Sequence, residues 1–95
     1  MFILLNKCYG GFGLSDEFVE EYPEYKSHAK WHDSDFRTNE ELIDRIRKFG
    51  LTRAGWEYAN LSIVSIPNDV TDWRMQEYDG YEYIEYVKDG KIFDA

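Results

Sequence analysis

Cys8, His28 and His32 carry the most reactive side chains in this chain. One thiolate and two imidazoles suit zinc, and histidines four apart share one face of a helix. With Cys8 as a third ligand, Asp33 or Asp35 would complete a tetrahedral set. Zinc is therefore a candidate cofactor. No second cysteine forms a Cys-x-x-Cys pair, and Ala29 stands where a zinc protease needs its glutamate. Zinc proteolysis is excluded. Cys8 as a nucleophile would need one of these histidines as its base, with Asp33 to orient it. The plainer reading is a thiol packed at a strand end and two solvent-facing histidines.

A second group surrounds Gly10-Gly11-Phe12-Gly13. A glycine-rich turn between a strand and a helix can aim backbone N–H groups at an anion. Gly10, Gly11, Ser15 and Arg37 are the residues that would hold a nucleotide or another small anionic ligand. The turn matches neither the P-loop nor the dinucleotide fingerprint, and no P-loop lysine follows. Asp16 and Glu17 would repel an anion there. Ser15 is equally well explained as a helix N-cap.

The third group is acidic and aromatic. Tyr78, Tyr81, Tyr83 and Tyr86 alternate with Glu77, Asp79, Glu82 and Glu85. Period-2 alternation places Tyr81, Tyr83 and Glu85 on one face, and Glu82, Ile84 and Tyr86 on the other. Tyrosine combines contact area with a polar tip, which suits an interface. Rows of carboxylates can imitate DNA phosphates and dock in a basic channel. These eight residues form a candidate partner-binding surface. The competing reading is an antiparallel sheet whose wet face is acidic.

Charge narrows the classes. The 95 residues carry 19 acidic and 11 basic side chains, a net charge of −8. A protein that neutralises phosphates should be basic, so direct nucleic-acid binding is disfavoured. The acidity concentrates in residues 69–95, with eight acids against three bases. One cysteine excludes an internal disulfide and suits a reducing, cytoplasmic setting. The apolar run Phe2–Leu5 is too short for a membrane span or a signal-peptide core.

The elements that must position these groups follow from periodicity. Phe2-Ile3-Leu4-Leu5 reads as a strand buried on both faces, central in a sheet. Ser15 caps a short helix, and Pro23 interrupts it. Tyr25 to His32 suggests another helical turn or two. Thr38 with Glu41 matches a capping box for a helix whose apolar face is Leu42, Ile43, Ile46 and Phe49. Gly50 sits where a C-cap glycine belongs. Leu61 to Ile66 is a strand stopped by Pro67. Strands at 73–78 and 81–87 flank Asp79-Gly80, a type I′ hairpin signal, and Asp89-Gly90 introduces a last short strand. The expectation is one α+β domain over residues 1–95, in the order β-α-(α)-α-β-β-β. Its sheet would be mainly antiparallel, of four to five strands, with two to three helices on one face.

Four stretches taken together carry a resemblance: Asn6 to Ser15, Arg37 to Ile43, Ala59 to Pro67, and Glu77 to Gly80. In this order they resemble a family of small proteins carried by bacteriophages, prophages and bacteria. The resemblance points to Cys8, Gly10, Gly11, Ser15, Arg37, Tyr78, Asp79 and Gly80, and brings no activity with it. A phage origin implies counter-defence in a bacterial cytoplasm. In size and acidity the chain is similar to many anti-CRISPR proteins. The expectation is a non-enzymatic inhibitor, monomeric or homodimeric. It would bind the nucleic-acid-handling surface of a CRISPR effector nuclease, of type II for example, and obstruct DNA loading.

Overall fold

Ile3, Leu4 and Leu5 are all fully buried, so strand β1 (Phe2–Asn6) needs apolar cover on both faces. A computed structural model describing residues 1–95 shows how it is supplied. β1 pairs antiparallel with β2 (Leu61–Ser65), from Phe2 opposite Ser65 to Asn6 opposite Leu61. Leu4, Leu61 and Ile63 turn to one side of this ribbon. They meet Phe18 of α1 (Asp16–Glu21), then Leu42, Ile43 and Ile46 of α3 (Glu40–Phe49), and Ala54 of α4 (Leu51–Ala54). Ile3 and Leu5 turn to the other side, onto a second sheet.

That second sheet is the antiparallel meander β3 (Asp72–Tyr78), β4 (Tyr81–Lys88) and β5 (Lys91–Asp94). Its inner face brings Trp73, Met75, Ile84 and Tyr86 against Ile3, Leu5 and Ile66. The fold is α+β, as the sequence predicts, but the single sheet of four to five strands is replaced by sheets of two and three strands. β1 is buried on both faces because it lies in a middle layer. Side-chain periodicity reports burial and does not say which neighbour provides it.

The local signals explain most element ends. Ser15 Oγ accepts the Phe18 N–H at 3.1 Å, capping α1. At α3 the cap is Asn39, whose Oδ1 accepts the Leu42 N–H at 2.9 Å. The cap expected at Thr38 therefore lies one residue on, and with Leu42 at the third helical position the capping box is lost. Thr38 instead closes α2 (Ser34–Arg37), donating its hydroxyl to the Ser34 carbonyl at 3.0 Å. Gly50 ends α3 with a φ of 107°. Arg45 pairs with Glu41, and Lys48 with Asp44, along the exposed face. Asp79 and Gly80 have φ of 51° and 91°, the paired positive values of a type I′ turn. Asp89 and Gly90 repeat it with 53° and 73°.

Residues 25–32 form no continuous helix. Pro23–Tyr25 and His28–Lys30 are separate 3₁₀ turns, so His28 and His32 share no helical face. No helix is long and apolar enough to cross a membrane.

The capping assignment predicts an asymmetry between neighbours. Asn39→Ala should cost about 1 kcal/mol in urea unfolding, and Thr38→Ala clearly less. Equal losses would return the cap to Thr38.

Candidate functional site

The side chain that organises the molecule is Arg37, which is 0% exposed. Its guanidinium meets the Glu82 carboxylate in a two-pronged pair, Nη1 to Oε1 at 2.6 Å and Nη2 to Oε2 at 2.8 Å. Nη1 also donates to the Leu4 carbonyl at 3.1 Å, and Nε donates to the Trp31 carbonyl. The Phe12 ring lies over the guanidinium, 3.6 Å from Cζ to the ring centroid. Glu82 Oε1 takes a further bond from the Asn6 N–H at 2.8 Å.

These contacts have a common geometry. The Lys7 N–H bonds the Asn60 carbonyl, on the β2 side of β1. Alternation along a strand then turns the Leu4 carbonyl and the Asn6 N–H to the opposite, unpaired edge. That edge has no strand beside it. Arg37 and Glu82 fill the place, one accepting bond and one donating bond each answered by a side chain. An isolated buried charge would be costly, but here each is paired and hydrogen-bonded. No buried side-chain nitrogen or oxygen lacks a partner.

Asn6 extends the network to the glycine turn. Its Nδ2 donates to the carbonyls of Cys8 and Gly80, both at 2.8 Å, and its Oδ1 accepts the Asn60 N–H at 2.8 Å. One buried amide thus ties the end of β1 to the chain entering β2 and to the β3–β4 hairpin. The contact between turns is close. A Cβ on Gly80 would stand 2.6 Å from the Gly11 nitrogen, and one on Gly10 would run into the Tyr58 carbonyl. Trp56 Nε1 donates to the Gly11 carbonyl at 3.0 Å.

The predicted anion cradle is corrected by this packing. Arg37 is sealed inside and already neutralised. Gly10 is pressed against Tyr58, and Gly11 against Gly80. Ser15 Oγ donates to the Arg53 carbonyl at 2.7 Å while it caps α1. The four residues do not converge on an open space.

The predicted zinc set is corrected as well. Cys8 Sγ donates to the Tyr58 carbonyl at 2.9 Å, His28 stacks on Trp31 with centroids 4.2 Å apart, and His32 lies exposed elsewhere. No three His, Cys, Asp or Glu side chains come together as metal ligands. The residues present do not fit a metal. Nor is a base held beside the Cys8 thiol, whose hydrogen-bond partners are Tyr58 and Asn6.

The eight hairpin residues separate by face. Glu82 points inward and is 3% exposed, so it is withdrawn from any docking surface. Its phase with buried Ile84 was the signal in the sequence. Tyr86 also lies on the inner face, stacked on Phe93 at 5.4 Å. Glu77 holds the Gly80 N–H, and Glu85 pairs with Arg74 at 3.1 Å. Of the row of carboxylates, only Glu77 and Asp79 are in no ion pair, and Asp79 alone has no hydrogen-bond partner in the chain. Tyr78 and Asp79 are exposed, and Tyr81 and Tyr83 are half-buried on the outer face.

What alternation could not show is the company these tyrosines keep. Tyr9 packs on Tyr81, centroids 5.7 Å apart, and Trp56 meets Tyr58 at 4.9 Å. Tyr9 is 67% exposed, Tyr58 57% and Tyr78 73%. Tyr78 stands opposite Tyr81 in the hairpin, and Tyr58 lies against Gly10, so the glycine turn, the hairpin tip and residues 56–58 bring these rings to neighbouring parts of the surface. No known protein family, curated protein or solved structure matches the chain.

Lys7 lies beneath this surface, 5.2 Å from the Tyr81 ring centroid, with Nζ donating to the Ala95 carbonyl at 3.2 Å. Burial pulls its pKa below the usual lysine value of 10.5, and the Glu82 carboxylate, which favours the charged form, does not offset this. Lys7 should titrate below 10.5 when its side-chain ¹³C shifts are followed by NMR. Because the unfolded chain then binds more protons, its contribution to stability rises with pH between the lowered value and 10.5.

The edge geometry also makes a prediction about Arg37 and Glu82. Removing either side chain should cost about 3–5 kcal/mol, because it strands a buried charge. Replacing both, as Arg37→Met with Glu82→Leu, is often neutral for buried pairs. Here it should still cost about 1–3 kcal/mol for each buried backbone group left unpartnered, namely the Leu4 carbonyl, the Asn6 N–H and the Trp31 carbonyl. Chemical denaturation of all the variants checks this, and a double variant as stable as the wild type would refute the edge-closing role.

Proposed function

We propose that this protein acts by binding another protein, with the aromatic end formed by the glycine turn and the β3–β4 hairpin as its contact surface. The observation that carries the reading is the placing of Tyr9, Tyr58 and Tyr78, all highly exposed, on neighbouring turns joined by the hydrogen bonds of the Asn6 amide. Large rings on a rigid base give contact area at low entropic cost. Single surface tyrosines need no explanation, whereas exposed tyrosines carried on turns that touch one another form a candidate interface.

The net charge of −8 indicates the kind of surface approached. A basic patch would be drawn in by long-range attraction, and Asp79 adds an unpaired carboxylate at the point of contact. The partner class we propose is the nucleic-acid-handling surface of a CRISPR effector nuclease, so that the protein obstructs loading of DNA. The support for this choice is the small size, the acidity and the resemblance to phage proteins. The charge set differs from the sequence expectation. Glu82 supports the surface from within, and the tyrosines supply most of the contact.

The test is capture of effector nuclease from a host with CRISPR defence, across a salt series. Tyr9→Ala combined with Tyr78→Ala and Asp79→Asn should weaken capture at least tenfold. Asparagine tolerates the positive φ of position 79. The same variant should relieve inhibition of target cleavage. Undiminished capture by the triple variant would remove the hairpin end from the interface.

A further inference from the structure

A cleft of about 670 Å³ lies next to the aromatic end and has no part in the surface described above beyond Trp56. It opens between the glycine turn, α1 and the 3₁₀ turn at His28. Phe12, His28, Trp31 and Trp56 form its walls. The rings are fixed relative to one another. His28 is stacked on Trp31 at 27°, and Phe12 meets Trp31 edge-on with centroids 5.9 Å apart. Trp56 is anchored through its bond to Gly11. Asp16 and Glu57 also line the cleft, both exposed and neither in an ion pair, and no lysine or arginine lines it.

Aromatic walls with unpaired carboxylates define one ligand chemistry. Ring faces attract cations, and indole does so most strongly. A carboxylate adds a hydrogen-bonded countercharge. Among cations, a guanidinium matches best, because it is planar, stacks on rings and binds carboxylates in a forked geometry. The cleft is open to solvent and larger than one guanidinium, so there is room for the chain that carries it.

We propose that this cleft receives an arginine side chain of the protein partner, with Trp56 and the His28–Trp31 stack holding the guanidinium and Asp16 and Glu57 countering its charge. The inference rests on the protein-binding reading and names the basic group that the partner presents. It places the anchor beside the tyrosine surface and shares with it only Trp56, which meets Tyr58.

A short peptide with two arginines tests it, against the same peptide with citrulline, which keeps the shape and removes the charge. Binding is followed by NMR at the Trp56 and Trp31 indole N–H signals. The arginine peptide should shift both and saturate, with the citrulline peptide at least tenfold weaker. Asp16→Asn with Glu57→Gln should weaken arginine binding at least fivefold. Both sites are exposed, so folding is undisturbed, whereas Trp56→Ala would also remove the bond to Gly11. Equal binding of the two peptides, shifts confined to other residues, or no saturation at millimolar peptide would overturn the proposal. The Tyr9, Tyr78 and Asp79 variant should bind the peptide normally. Loss of effector capture in that variant alone, with no peptide binding by the wild type, would overturn the arginine site and leave the protein-binding reading standing. Peptide binding by a chain that captures no effector would do the reverse.

Discussion

The structure depends on how the open edge of β1 is closed. A two-stranded ribbon between two layers leaves one backbone edge of β1 without a strand, and the buried Leu4 carbonyl and Asn6 N–H on it need partners. A third strand would be the ordinary solution. This chain uses a buried ion pair instead. Arg37 comes from the helical layer and Glu82 from the outer sheet, and they meet across the edge of the strand between them. One contact therefore joins all three layers, and the two apolar cores on either side of β1 are held in register by it.

Its position has consequences for the surface. Asn6, next to the ion pair, holds the carbonyls of Cys8 and Gly80 through one amide group. The glycine turn and the hairpin tip are thereby fixed against each other. Glycines are needed where their backbones touch, which accounts for Gly10 and Gly80 without any ligand. The residues on the outer side of this junction are aromatic. A rigid junction presents them in one arrangement, so a partner of the proposed kind would meet little ordering cost. The adjacent aromatic cleft has the same foundation, since Trp56 leans on the glycine turn and Phe12 covers Arg37.

Much of the fold was legible in local signals. Asp79-Gly80 and Asp89-Gly90 need positive φ and mark hairpins by themselves. The apolar spacing of Leu42, Ile43 and Ile46 identifies α3 whatever it packs against. The site was less legible, because its contacts join residues far apart in sequence. Alternation puts Glu82 in phase with Ile84 and so points it inward, but nothing local names Arg37, 45 positions away, as its partner. Read separately, Arg37 looked like a ligand-binding cation and Glu82 like a surface charge. The histidines show the opposite error. Their spacing is meaningful only on a helix, and Pro23 with two 3₁₀ turns removes that helix. Tyr9 and Tyr58 carry no signal in the sequence, because exposure and neighbourhood are properties of the folded surface.

The central claim is that side chains, rather than a strand, close the edge of β1, and the Asn6 backbone amide reports on it directly. Its acceptor is the Glu82 carboxylate, outside any strand ladder. Native-state hydrogen exchange, resolved by NMR, measures how firmly that bond is kept. The account predicts that the Asn6 amide exchanges as slowly as amides within the β1–β2 ladder, opening only with the whole domain. Exchange as fast as that of the exposed Asp89-Gly90 turn would show the edge to be open and would contradict the account.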